Sequence, residues 1–188
     1  MGMAVEVSRR RFTADEYQQM AKAGILREGD PFELIDGEVV AKMTIGPRHS
    51  AVVDHLTQHF VLCAGPVAIV RTQGAVRLDL FNEPEPDLAL LRRRPDYYRS
   101  AHPGPADILL VVEVAQTSID YDRTVKAELY ARLGIAEYWL VDLNVDVVTR
   151  YTEPVDGQYR RVEPMPAGAT FAPRLLPACA VTTDAIFG

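Results

Sequence analysis

The chain has 188 residues, 48% of them hydrophobic and 24% charged, which is typical of one globular domain that buries its own core. A formal net charge of −6 excludes a protein that coats nucleic acid through a broadly basic surface, but it is compatible with an enzyme that uses a metal and a local basic patch. The sequence has no apolar run of about 18 residues, which excludes a membrane-spanning helix.

The two cysteines, Cys63 and Cys179, lie in apolar surroundings and show no CxxC or Cys/His spacing. This pattern predicts neither a zinc site nor a disulfide, and it suits a reducing cytosol. The first residues, MGMAVEVSRRRF, lack the apolar stretch of a signal peptide. We therefore expect a cytoplasmic protein in which residues 1–188 form a single domain and residues 1–11 a flexible N-terminus.

The N-terminal third is predicted to contain a helix, a hairpin and a second helix. A capping box at residues 13–16 opens a short helix. Two β-rich runs flank Asp36-Gly37, a dipeptide that is typical of a tight hairpin turn. Apolar residues recur at helical spacing along one face of segment 48–62, and His49 lies on that face.

The rest of the chain predicts an α/β sheet with a crossover unit. A long loop or a broken helix is expected at 92–106, and the continuous apolar run 107–115 is typical of a strand buried on both faces. Helix 120–133, with a core stripe of Val125, Leu129 and Leu133, then leads to another buried strand, which predicts a partly parallel sheet. The strands are predicted at VAIVRT (67–72), AVRLDL (75–80), DLALL (87–91), DILLVVEVA (107–115) and EYWLVDL (137–143), with short strands in the tail.

Glu113 is out of place in the apolar strand ILLVVEVA, because burying an isolated carboxylate costs several kcal/mol, roughly, unless a cation compensates it. The strand period places Val111, Glu113 and Ala115 on one face, and a helix that follows the strand packs back over it. Lys126, thirteen residues further on (126 − 113), is the natural partner. A buried Glu113–Lys126 pair that only holds the helix to the sheet is an equally good interpretation of these two residues alone.

Asp87 favours a functional interpretation, although a strand-entry turn residue is the common alternative. Two carboxylates, Asp87 and Glu113, can hold Mg²⁺ or Mn²⁺, which prefer oxygen ligands. A bound metal activates water and polarises a phosphoryl oxygen, while Lys126 can orient that water or stabilise negative charge. Arg92–Arg94 follow the Asp87 strand and could hold a backbone phosphate, or could simply lie on the solvated surface.

Two further residues are candidates for the same site. Glu33 interrupts the apolar FELI strand, and we expect either a further metal ligand, a carboxylate that tunes Lys126 or a half-buried glutamate on the solvent side. His49 could act in proton transfer, although a histidine on an apolar helix face is more often a core residue. His55 and His59 have the spacing of a metal pair but lack an HExxH pattern, and a solvated face is expected for them.

The ordered set of motifs resembles the Uma-two family of endonucleases, within the PD-(D/E)XK superfamily. The resemblance covers roughly residues 12 to 151, and it implies a restriction-endonuclease-like fold with a mixed β-sheet core flanked by helices. The motifs are FELIDGEVV with Glu33, His49 at the start of a helix, Pro86-Asp87, LLVVEV with Glu113, KAELY with Lys126 and Tyr130, and GIAEYWLVDL.

By this resemblance, Asp87 and Glu113 bind the metal, the backbone carbonyl of Val114 is an additional ligand, and Lys126 assists the attacking water. The superfamily usually places its lysine two residues after the glutamate, where this chain has Ala115. The Uma-two type supplies the lysine from the following helix, which matches Lys126. The implied activity is Mg²⁺- or Mn²⁺-dependent hydrolysis of DNA.

Two other functions remain open at this point. A nuclease fold without catalysis could act as a binding or assembly module if Lys126 pairs only with Glu113. A hydrolase that uses paired carboxylates without a metal would leave Lys126 unexplained. Nuclease folds of this kind often form dimers, and we expect a possible homodimer interface at Tyr138–Leu143 and the C-terminal strands.

Overall fold

The computed structural model describes residues 9–27, 29–43 and 46–188, so the predicted flexible N-terminus lies mostly outside the described residues. The helices are α1 (Ala14–Lys22), α2 (Pro47–Ala64), α3 (Ile119–Tyr121), α4 (Ala127–Arg132) and α5 (Thr183–Phe187). The strands are β1 (Phe32–Ile35), β2 (Glu38–Ala41), β3 (Ala68–Thr72), β4 (Leu88–Arg92), β5 (Ile108–Ala115), β6 (Glu137–Asp142), β7 (Val147–Val155), β8 (Gln158–Met165), β9 (Thr170–Phe171) and β10 (Val181–Thr182). A 3₁₀ turn at Pro105–Asp107 precedes β5, and a π-helical turn at Asp122–Lys126 joins α3 to α4.

The centre of the fold is a six-stranded mixed sheet with the strand order β3-β4-β5-β6-β7-β8. Strands β5 and β6 are parallel, and the other neighbouring pairs are antiparallel. A parallel pair needs a crossover connection, and the helical segment between β5 and β6 provides it. The predicted restriction-endonuclease-like α/β fold, with a mixed sheet flanked by helices, is confirmed.

The hairpin β1–β2 stands beside this sheet, and its turn is the one predicted at Asp36-Gly37. Both turn residues have positive φ angles, 48° at Asp36 and 77° at Gly37, as a two-residue type I′ turn requires. A Cβ atom at Gly37 would also lie 2.7 Å from the Cβ of Arg11. Both the positive φ angle and this close contact therefore require glycine at position 37.

Strands β5 and β6 are buried along their whole length because helices cover both faces of the sheet. Val112 and Val114 pack on one face against α2 and the C-terminal segment. Val111 and Ala115 pack on the other face against α4. Glu113 belongs to this second face, and the side-chain alternation predicted for the strand is therefore correct.

The strand predicted at AVRLDL (75–80) is absent, although its alternating pattern has a physical basis. Val76 and Leu78 are buried. The backbone N–H groups of residues 76, 77 and 78 donate to carbonyls of Pro84, Pro103 and Asn82, which lie in loops. The segment therefore buries alternate side chains without a neighbouring strand.

The core stripe predicted for the crossover helix is partly wrong, because Val125 is exposed. The π-helical turn at Asp122–Lys126 departs from the 3.6-residue spacing on which that stripe was based. Lys126 is buried in place of Val125, and Leu129 and Tyr130 continue the buried face.

The prediction that the cysteines form no disulfide is wrong. Cys63, near the end of α2, is bonded to Cys179, and their Cα atoms lie 5.3 Å apart. The two residues are separated by 116 positions, and they meet because α2 and the C-terminal segment pack on the same face of the sheet. Local cysteine spacing carries no signal for such a contact. The cytoplasmic location, for which reduced cysteines were an argument, stays a prediction.

The dimer interface predicted at Tyr138–Leu143 is not available, since β6 is buried between β5 and β7. The C-terminal strand β8 does lie at an edge of the sheet. In the described part of the chain, no helix combines the length and the apolar character needed to cross a bilayer.

Candidate functional site

The predicted site residues meet where β4 begins and β5 ends. Leu88 pairs with Val112 in the antiparallel register of β4 and β5, which places Asp87 beside Glu113. The backbone N–H of Asp87 donates to Glu113 Oε2 at 3.3 Å. The sheet register therefore brings together two carboxylates that lie 26 residues apart in sequence.

Glu113 is held by donors from the crossover helix. Its Oε1 atom accepts hydrogen bonds from Lys126 Nζ at 2.9 Å and from the Tyr130 hydroxyl at 2.7 Å. Glu113 and Lys126 are each 4% exposed and Tyr130 is fully buried. The buried carboxylate thus has the cationic partner that its position in the strand predicts.

Lys126 has two more acidic neighbours. Its Nζ atom lies 3.1 Å from Glu33 Oε1 and 3.8 Å from Asp122 Oδ1. Glu33 is 2% exposed, and its Oε2 accepts a hydrogen bond from the backbone N–H of Glu85 at 3.2 Å. The alternative of a glutamate on the solvent side is wrong, and Glu33 lies in the cluster as a partner of the lysine.

Asp87 is oriented by two contacts to its Oδ2 atom. The backbone N–H of Val114 donates to it at 2.8 Å, and His49 Nε2 lies 3.0 Å away. His49 stands in the first turn of α2, which begins at Pro47. Its other ring nitrogen, Nδ1, is buried and has no hydrogen-bond partner among the described residues.

The cluster holds more acid than base, and the pKa values reflect this. Burial raises the pKa of Glu113 to about 8, despite the opposing effect of Lys126. Burial also raises the pKa of Asp122. Burial alone would lower the pKa of Lys126, but Glu113 and Glu33 hold it well above its ordinary value. Several carboxyl groups share one ammonium group, so a further cation would be stabilised here.

The contact between His49 and Asp87 shifts the pKa of both residues. Although burial opposes it, the hydrogen bond and charge of His49 hold the pKa of Asp87 below its ordinary value. Burial likewise tends to lower the pKa of His49, and the hydrogen bond to Asp87 outweighs it, so the pKa of His49 is raised. Asp87 is therefore the carboxylate that stays ionised most readily.

These side chains form the floor of a pocket of about 370 Å³. The end of the β1–β2 hairpin, residues 40–43, also lines the pocket, as does the turn after β5 together with Tyr121. Gln116 and Thr117 are exposed at this turn, and Ser118 precedes α3 without a side-chain capping bond. The turn after β5 therefore borders the site.

Sequence reasoning missed two members of the cluster and misplaced one group. Tyr130 appeared only within the KAELY motif, without a role, and Asp122 was not considered. Both are four residues from Lys126, and this helical spacing was the available signal. The arginines at 92–94 lie at the opposite end of β4 from Asp87, about 17 Å along a five-residue strand, so the predicted phosphate contact at this site is wrong. His55 is exposed as expected, whereas His59 is partly buried.

The donor chemistry fits a hard divalent cation. Asp87, Glu113 and the Val114 carbonyl offer oxygen atoms, which Mg²⁺ and Mn²⁺ prefer. Each carboxylate oxygen carries two lone pairs, so the hydrogen bonds described above leave capacity for a metal. Within residues 9–27, 29–43 and 46–188, no three His, Cys, Asp or Glu side chains form a metal-binding group by themselves. The predicted set uses only two side chains and a backbone oxygen.

Comparisons with known proteins agree with the fold. Residues 14–184 match the Uma2 family, described as "Putative restriction endonuclease". A solved structure of a "putative nuclease belonging to DUF820" from Anabaena variabilis shares 15% identity and superposes with a TM-score of 0.73, covering 94% of this chain and 97% of its own.

A second structure, of the type IIG restriction endonuclease BpuSI, shares 17% identity over 59% of this chain and 12% of its own. Its TM-score of 0.39 is too low to carry an argument. No curated protein matches the chain significantly. The match to the family profile covers most of the chain, and the protein therefore belongs to the Uma2 family.

Proposed function

We propose that the protein is a divalent-metal-dependent endonuclease that hydrolyses phosphodiester bonds of DNA. Asp87, Glu113 and the carbonyl of Val114 would hold Mg²⁺ or Mn²⁺. When bound, such an ion polarises a phosphoryl oxygen and lowers the pKa of water. Membership of a family described as restriction endonucleases supports the reaction class.

One observation carries the proposal: a buried lysine is held at the floor of an accessible pocket, beside two carboxylates. Lys126 Nζ is fixed between Glu113 and Glu33 at 2.9 and 3.1 Å. An ammonium group at this position stabilises negative charge that develops on a phosphate in the pocket, since the site is shielded from bulk water. Glu33 keeps the lysine charged and oriented.

His49 has a supporting role in this proposal. Its contact with Asp87 fixes the orientation of that carboxylate, as partners of metal ligands commonly do. Although burial opposes it, the hydrogen bond to Asp87 raises the pKa of His49, so this ring carries a proton over a wider range of pH.

A second candidate function is a nuclease fold that binds without catalysis. The observation in its favour is that both oxygens of Glu113 already accept hydrogen bonds, from Lys126, Tyr130 and the Asp87 backbone. In that case the Glu113–Lys126 pair is structural, and the protein binds no metal at this site.

The test combines metal binding with DNA hydrolysis. Mn²⁺ is titrated calorimetrically into the wild-type protein and into Asp87→Asn and Glu113→Gln, with Glu163→Gln at the exposed edge strand as the control. Plasmid and single-stranded DNA are then incubated with each protein and Mn²⁺, with and without EDTA. We expect binding and EDTA-sensitive cleavage in the wild type and the control, and neither in the two site variants. A folded wild-type protein that neither binds Mn²⁺ nor cuts DNA favours the structural pair.

A further inference from the structure

We infer that the nucleic acid enters this site as a flexible single strand, with one nucleotide inside the pocket, and that an intact duplex is a poor substrate. The inference rests on the proposed function and names the substrate class of the same site. It follows from the depth of the reactive groups, the size and walls of the pocket, and the charges around it.

The reactive groups lie too deep for a rigid duplex. Asp87, Glu113 and Lys126 are only 6%, 4% and 4% exposed. A phosphate must come within metal-coordination distance, about 2 Å from a bound ion, which places it at the pocket floor. The backbone of a paired duplex cannot bend inward by one nucleotide unless the strands separate. An unpaired strand has the freedom to do so.

The size of the pocket matches one nucleotide. Its volume of about 370 Å³ is near the lower limit of small-molecule sites, which hold about 300–1,000 Å³. A double helix needs an open cleft, because even its major groove is about 12 Å wide. This pocket is instead lined by the end of the β1–β2 hairpin and by the turn after β5.

The walls offer surfaces for a base. Tyr121 is half-buried in one wall, and Val40 and Met43 line the other. Aromatic and apolar side chains bind unpaired bases by stacking and contact, and single-strand recognition in general uses such surfaces. A base that remains paired in a duplex shows only its edges and cannot use these walls.

The charges around the pocket suit one or two phosphates. Four carboxyl groups, those of Glu33, Asp87, Glu113 and Asp122, line the pocket together with two lysines. Two arginines next to lining residues are compensated, since Arg48 pairs with Asp146 and Arg123 with Asp142. A duplex is typically held by about 6–10 phosphate contacts to cations, which this acidic surface does not favour.

The test compares binding and cleavage of one sequence in three forms: a fluorescein-labelled single strand, its perfect duplex, and the duplex with a single-stranded overhang. Binding is measured by fluorescence anisotropy with Ca²⁺, and cleavage with Mn²⁺. We expect the single strand and the overhang to bind about tenfold more tightly than the duplex, and cleavage to be confined to unpaired nucleotides.

Variants locate the effect in the pocket. Tyr121→Ala and Met43→Ala are expected to weaken single-strand binding about tenfold, while Tyr121→Phe retains it. Tyr97→Ala is the matched control, because Tyr97 is an exposed tyrosine beyond the opposite end of β4. Met43 is exposed, so its replacement should leave the core intact. This variant therefore tests the pocket even if Tyr121→Ala does not fold.

The outcomes separate this inference from the proposed function. Equal binding and cleavage of duplex and single strand overturns the inference and leaves the nuclease intact. If single-strand binding depends on Tyr121 but no substrate is cleaved, the proposed nuclease activity is overturned. The pocket is then still supported as a binding site for single strands. Unchanged binding in both Tyr121→Ala and Met43→Ala overturns the inference.

Discussion

Glu113 and Lys126 are thirteen residues apart in the chain, yet Lys126 Nζ lies 2.9 Å from Glu113 Oε1. The usual superfamily position for this lysine is occupied by Ala115, which is fully buried on the same face of β5. Ala115 has no ammonium group to offer Glu113. The crossover helix therefore provides that group through Lys126. This relationship is the basis of the first prediction.

Replacing Lys126 with methionine is expected to reduce DNA cleavage at least about 100-fold, because the developing charge loses its stabilising cation. Mn²⁺ binding should persist, since Lys126 is not a ligand. Lys126→Arg is not expected to restore cleavage, because the larger planar group does not fit a buried site built for an ammonium. Calorimetry and initial cleavage rates measure the two effects, and full activity in Lys126→Met contradicts the assigned role.

Replacing His49 with alanine is expected to weaken Mn²⁺ binding about 10- to 100-fold, because Asp87 loses the partner that orients its Oδ2 atom. His55→Ala is the matched control, since His55 lies on the same helix and is exposed. Both affinities come from calorimetric titration. Equal affinities in the two variants would show that His49 does not position Asp87.

The Tyr130 hydroxyl is expected to support both the fold and the site. Tyr130→Phe removes a donor to the buried Glu113 carboxyl and should lower the free energy of unfolding by about 1–3 kcal/mol. Tyr159→Phe is the control, because the Tyr159 hydroxyl donates to the Ile135 carbonyl, away from the cluster. Urea unfolding gives the stabilities, and we expect cleavage to fall in Tyr130→Phe but not in Tyr159→Phe.

The Cys63–Cys179 bond should stabilise the fold without affecting the site. Loss of a crosslink that closes a loop of 116 residues is expected to cost about 2–4 kcal/mol in the free energy of unfolding. Urea midpoints are compared with and without dithiothreitol, for the wild type and for the double variant Cys63→Ser/Cys179→Ser. A wild-type urea midpoint that is the same with and without dithiothreitol would contradict the presence of this disulfide.

The protein is expected to lose stability at alkaline pH because the hydroxyl of Tyr17 is buried. Burial raises its pKa from the ordinary value of 10.0 to about 12, and its hydroxyl donates to the Phe32 carbonyl. Because the folded state favours the neutral phenol, this contribution is complete below pH 10 and is lost as the pH rises towards 12. Chemical denaturation at a series of pH values should show a shallower alkaline decline in Tyr17→Phe than in the wild type.

The sequence predicts most of the sheet and the centre of the site, because both depend on local patterns. The apolar run around Glu113 identifies a central strand, and the cost of its buried charge points to Lys126. The hairpin follows from the conformational needs of Asp36 and Gly37. In each case, a few neighbouring residues contain the physical reason.

Features that depend on distant parts of the chain could not be predicted in this way. The pairing of Cys63 with Cys179 arises only when two segments pack on one face of the sheet. The apolar alternation at 75–80 reflects burial by loops, which looks like a strand in sequence. The distance of Arg92–Arg94 from Asp87 is different, because it follows from the length of the predicted strand between them and could have been read from the sequence.

Because of the π-helical turn at Asp122–Lys126, the position of the Lys126 side chain depends on the number of residues in that turn as well as on side-chain chemistry. Turns of this type hold one residue more than an α-helical turn and often occur at functional sites. Removing the exposed Thr124 would leave a continuous helix, yet it would rotate Lys126 by about 100° relative to the residues before it. The single extra residue of this turn thus determines whether the helix directs Lys126 towards Glu113.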